Sequence, residues 1–91
     1  MDDILKTLTN KAKKYGASEF GLSRTKNKRF YVIYNNRRIH FGSKEGKTYI
    51  DHRDKSKRTA WRSRHIRILK DGYPAYTNKM SPEFWNWNLT W

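Results

Sequence analysis

The chain has 91 residues, with 21 Lys and Arg against 8 Asp and Glu, a net charge of +13 and no cysteine. That length holds one domain, 1–91, whose core buries roughly 60% of the surface exposed on unfolding, and the lack of cysteine excludes disulfide staples and thiolate metal sites. No apolar run approaches the ~20 residues of a membrane helix, and the opening residues lack the basic-then-apolar order of a secretory signal, so the expectation is an intracellular protein without membrane insertion.

Asp2 or Asp3 can cap a first helix, and Ile4, Leu5, Leu8, Ala12 and Tyr15 recur at helical spacing. Gly16 is a natural stop, so a helix is predicted over about 3–15. A β-meander is predicted over about 18–51. Phe20 and Leu22 alternate with polar neighbours, and "KRFYVIY" is rich in β-branched and aromatic residues. Asn35-Asn36 suits a two-residue type I′ turn. That turn sets Val32 opposite Ile39, Phe30 opposite Phe41 and Tyr31 opposite His40. "KTYID" reads as a further strand.

From Asp54 the pattern changes to a basic helix over about 54–67, with Trp61, His65, Ile68 and Leu69 on one face. "DGYPAY" reads as a loop. Ser81, Pro82 and Glu83 then open a Trp-rich helix over about 82–90. The fold class is therefore α+β, a meander of three or four strands packed by about three helices. Phe30, Val32, Ile39, Phe41, Ile50, Trp61, Leu69, Phe84 and Trp87 form the expected core.

The charge is not spread evenly. Residues 24–70 carry sixteen Lys and Arg against three acids. Within them, Arg53, Lys55, Lys57, Arg58, Arg62, Arg64, Arg67 and Lys70 accompany Asp54 alone. A solvated, salt-laced helix would alternate Lys with Glu four residues apart, and this run has nothing to alternate with. Phosphate contact is the reading that uses such a run, and it carries no sequence information by itself. Lys28, Arg37 and Arg38 on the hairpin extend the expected surface. The partner this implies is nucleic acid, with DNA the first choice and RNA open. The Trp residues read first as core, and second as platforms for unpaired bases.

The same residues also admit enzymatic readings. His40, His52 and His65 lack the close ligand pairs that zinc needs, so no metal and no cofactor are expected. Hairpin, "DH", helix, "H" loosely resembles a ββα nuclease, without its usual Asn. The order "VIY", "TYI", "KR", "RH" resembles the GIY-YIG nucleases. That resemblance implies Tyr34, Tyr49, Arg58 and His65 as catalytic groups and Glu83 as metal ligand, although Val32 and Asp51 replace its two glycines.

The Y-N-basic-I-H-F-G hairpin, the D-H-basic-D…W-x₃-H segment and the closing S-P-E-aromatic-W-x-W…W together resemble another set of proteins. These are small basic proteins of the nucleocytoplasmic large DNA viruses, of the giant and iridescent virus types. The resemblance covers about residues 28–91 and leaves out the first helix. It implies a viral setting, with the protein in the host nucleus or cytoplasm or in the virion, and it implies no catalytic residues. Such viruses package long DNA and carry basic virion proteins, so viral structural proteins are a second class of expected partner, through a capsid or virion protein–protein interaction.

Overall fold

In the computed structural model, which describes residues 2–91, the first element is helix α1, Asp2–Lys14. Its apolar stripe buries Leu8 and Ala12, with Ile4, Leu5 and Tyr15 packed against the same core. Asp3 lies inside the helix, not ahead of it, and the capping role considered for Asp2 concerns a side chain outside the described residues. At the other end, Gly16 adopts φ 103°. Its N–H donates to the Lys13 carbonyl, and the Ala17 N–H donates to the Ala12 carbonyl, each at 3.0 Å. This paired closure satisfies two carbonyls that the helix itself cannot reach.

Three antiparallel strands follow, β1 (Glu19–Leu22), β2 (Lys28–Tyr34) and β3 (Arg37–Ser43), with β2 in the centre. Asn35 and Asn36 take φ 52° and 63°, as a type I′ turn requires. The register is the expected one, with Val32 paired to Ile39, Phe30 to Phe41 and Tyr31 to His40. Phe30, Val32, Ile39 and Phe41 are buried on one face. On the other face the Tyr31 ring lies over Gly21, where a Cβ would stand 2.8 Å from Tyr31 Cε1. The Tyr31 hydroxyl donates to Glu19.

The segment after β3 departs from the expected strand and forms a helical turn, α2 (Tyr49–His52). Local hydrogen bonding overrides the β-rich composition. The Asp51 carboxylate reaches back to accept from the Thr48 N–H at 2.8 Å and the Thr48 hydroxyl at 3.2 Å. Arg29 of β2 clamps the same carboxylate with two bonds of 2.6 and 2.8 Å. Ile50 remains in the core.

Helix α3 spans Lys55–His65, and the Asp54 side chain caps it by accepting from the Ser56 and Lys57 N–H groups. It ends two residues earlier than expected. The reason lies downstream, where Asp71 and Gly72 adopt φ 54° and 84° and fold Leu69–Lys70 (β4) onto Tyr73–Pro74 (β5). Asp-Gly at the tip of a two-residue hairpin is favourable for both residues. The stretch read as a loop is therefore a small second sheet, and Leu69, expected in the core, is 62% exposed.

A 3-10 turn at Ala75–Thr77 leads to α4 (Pro82–Trp85), whose cap is the Ser81 hydroxyl, and the chain continues as a π-helical turn over Asn86–Thr90. Phe84, Trp85 and Leu89 join α1 and the sheet in the main core. Trp87 is only half-buried, and Trp61 is buried outside that core, so the core is carried by Trp85 where Trp87 was expected.

Asp51 provides a pH test of the junction between β2 and α2. The Arg29 guanidinium, and then the Thr48 N–H, hold its carboxyl well below the usual carboxylate range. A group whose folded pKa is depressed stabilises the fold above its unfolded pKa and loses that contribution as pH falls. Asp51→Asn is expected to cost about 1–2 kcal/mol at neutral pH, and to flatten the loss of stability below about pH 4. Urea unfolding midpoints across pH would measure both. An unchanged acid limb would show that Asp51 does not link pH to folding.

Candidate nucleic-acid interface

Helix α3 divides its basic residues between two environments. Arg58, Trp61, Arg62 and His65 form the covered stripe, spaced three and four residues apart. Arg58 stacks its guanidinium over Tyr49 at 4.4 Å, and Arg53 lies 5.7 Å from the same ring. Arg62 lies over Trp87 at 5.0 Å and donates to the Trp87 carbonyl at 3.3 Å. Burial, followed by the charge of Arg58, lowers the pKa of Arg62. These two arginines therefore work as planar packing groups as well as charges. Lys55, Lys57, Arg64 and Arg67 are exposed.

Carboxylates do little to neutralise this surface. Among the described residues, Arg29 is the one Lys or Arg in a salt bridge, with Asp51. The other short contact between a carboxylate and a basic side chain joins His65 Nδ1 to Glu83 at 2.7 Å. Lys55 and Lys57 also stand in the first turn of α3, which has no acidic residue. A helix start favours negative charge, so local helix energetics oppose both lysines.

The hairpin cations do not gather as the sequence reading expected. Lys28 begins β2, whereas Arg37 pairs with Tyr34 at the turn end. Six residues of strand place them about 20 Å apart. Arg38 lies over the Tyr31 ring at 4.6 Å on the outer face of the sheet. Lys28 is near α3 because it shares a cleft with Trp61 and His65. Arg37 and Arg38 belong to a separate basic area beside Lys70.

The residues of the nuclease readings fall into three places. Tyr34 packs its ring 5.9 Å from Trp85. Tyr49 stands on the α2 turn instead of a strand, beneath Arg58. His65 and Glu83 bind each other. His52 Nδ1 accepts from the Asp54 N–H at 3.0 Å, and His40 Nδ1 meets Ser23 at 2.8 Å. Among the described residues, no three His, Asp or Glu side chains are placed to hold a metal ion.

Sequence reasoning missed the cleft itself. Trp61 is the middle ring of a stack, with His65 at 3.9 Å and 13° on one side and Trp91 at 4.9 Å and 9° on the other. Beside this stack lies a cleft of about 450 Å³, also lined by Lys28, Ser43 and Lys47. The helical spacing of Trp61 and His65 is visible in sequence, but the return of Trp91 to meet them depends on the tail's path.

Comparison with curated proteins and with solved structures gives no match. A model of a family of unknown function (DUF5754) matches residues 18–65. That segment holds the three-stranded sheet, α2 and the whole of α3. It covers more than half of the chain, and the protein belongs to this family.

Proposed function

We propose that this is a non-enzymatic DNA-binding protein that meets backbone phosphates with the exposed face of α3 and the adjoining end of the hairpin, largely without regard to base sequence. The observation that carries the reading is the unneutralised charge: +13 in 91 residues, with a single Lys or Arg salt bridge among the described residues. Self-repulsion of that size opposes a compact fold unless a polyanion relieves it. The setting we propose, on the resemblance to the large DNA viruses, is association with a long viral genome.

A salt titration on duplex DNA tests this. About five phosphate contacts would give a slope near −4.5 in log affinity against log salt. A slope near zero, or no binding at low salt, would overturn the reading.

A protein partner in the virion is a second reading, and one observation favours it. Ile66, Ile68, Leu69 and Tyr73, in and beside the small hairpin, are 47%, 41%, 62% and 72% exposed, and a partner that covered them would remove apolar surface from water. The Trp-rich terminus adds little to that exposure, because Trp85 is fully buried and Trp87 and Trp91 are half-buried. Salt-insensitive DNA binding beside a stable complex with a virion protein would favour this reading over the first.

A further inference from the structure

We infer that the cleft beside the Trp61 stack takes one unpaired nucleotide of a single strand, so that the protein grips unpaired DNA more tightly than duplex. This rests on the DNA-binding reading above and names the form of DNA that the cleft selects.

Four observations point there. The cleft, at about 450 Å³, is within the range of pockets that hold small ligands, roughly 300–1,000 Å³. Part of the lining is aromatic, formed by Trp61, Trp91 and the His65 imidazole, with Trp61 presenting a ring edge because both of its faces are covered. The same lining includes Lys28 and Lys47, both exposed. No Asp or Glu lines it. A base needs an apolar, polarisable surface, and the attached phosphate needs cations a few ångströms away. The lining of this cleft includes both kinds of group.

The polar groups are also suited to a base edge or a sugar. Glu83 holds His65 Nδ1, leaving Nε2 as the ring's other polar atom. Asn27, Ser43, Thr48 and Asn86 are the other uncharged polar residues of the lining. These donors and acceptors are of mixed type and do not select one base. Gly42 lets this arrangement form. It adopts φ 79°, and a Cβ there would meet Arg29 Cβ at 3.3 Å and Asn86 Oδ1 at 3.8 Å, so a side chain would strain the strand where the tail reaches the cleft. A duplex cannot present a base to this cleft without unpairing it, whereas a single strand can.

Two variants test the inference at the rim, away from the α3 surface. Gly46→Glu sets an acid beside the phosphate position, and the site admits a side chain, since an added Cβ would meet only Ser43, at 3.5 Å. Lys47→Glu reverses a rim cation that is exposed. Fluorescence anisotropy would measure the binding of labelled oligothymidylate and of a blunt duplex. Intrinsic tryptophan fluorescence would be followed with adenosine monophosphate and, separately, with inorganic phosphate.

Each variant is expected to weaken oligothymidylate binding about tenfold, with duplex binding changed less than about threefold. Adenosine monophosphate is expected to quench the tryptophans, and inorganic phosphate to leave them unchanged. Equal losses on both DNA forms, or none on either, would overturn the cleft while leaving salt-dependent duplex binding in place. Wild-type protein that ignores duplex yet is quenched by the nucleotide would overturn the broader reading and keep the cleft. Absence of both signals would remove both.

Discussion

Replacing Trp85 with alanine is expected to destabilise the protein more than any other single aromatic truncation, by about 3–5 kcal/mol. Trp85 is 0% exposed. Its ring meets Phe84 at 4.9 Å, Tyr34 of β2 at 5.9 Å and Tyr15 after α1 at 6.5 Å, and its indole N–H donates to the Lys79 carbonyl at 2.8 Å. Truncation therefore opens a cavity where three parts of the chain meet and strands a carbonyl acceptor. A domain of this size holds only about 5–14 kcal/mol in total, so the loss takes a large share and should lower Tm by about 20 °C. Trp87→Ala provides the comparison. Trp87 is half-buried and stacks on Tyr76 at 4.3 Å, so its loss should cost about 1–2 kcal/mol. Thermal unfolding of both variants, followed by circular dichroism, would rank them. The reverse order would show that the tail packs on the sheet through another residue.

That ranking bears on what could be read from the sequence. Phe84, Trp87 and Trp91 share a face of an ideal helix, which made Trp87 the natural choice for the core. The tail instead turns from α-helix to π-helix at Asn86, and the wider turn changes which side chains face inward. Period reasoning at 3.6 residues cannot register such a change. The hairpin was legible because Asn35-Asn36 fixes its turn chemically and the turn fixes every pairing after it. At "KTYID", composition argued for a strand while the Thr48-x-x-Asp51 spacing argued for a capped helix start. The second signal was local, specific and correct. At "KDGY" the Asp-Gly turn was likewise present, in the form that marks a two-residue hairpin.

The functional surface was legible in amount but not in arrangement. Composition showed an excess of cations with too few acids to neutralise it, and the side chains agree. Position along the chain could not show that Arg58 and Arg62 lie on aromatic rings, or that Lys28 and Arg37 occupy opposite ends of one hairpin. Nor could it bring Trp91 back to Trp61, a contact thirty residues apart. Such long-range closure depends on the path of the tail, for which local pattern gives no measure.

Reversing Lys55, Lys57 and Arg64 together to glutamate is expected to lower duplex affinity by roughly 10²–10³-fold near 0.1 M salt, and to reduce the salt slope by about 2.7. The three side chains are exposed, and none is in a salt bridge among the described residues. The fold should tolerate the change. Glutamate at positions 55 and 57 suits the start of α3, while glutamate at 64 opposes its end, and the two effects, each about 0.3–1 kcal/mol, largely offset. A loss of binding would then report on contact with DNA and not on unfolding. Reversing Lys6, Lys11 and Lys13 of α1, outside the family segment, alters the net charge equally and serves as the control. If binding depends on the α3 face, the control should lose about tenfold or less through the long-range field alone. If the two triples weaken binding alike, net charge without a defined surface is sufficient, and α3 has no special part in binding. If neither does, the lysines that oppose their own helix at its first turn are there for some other ligand.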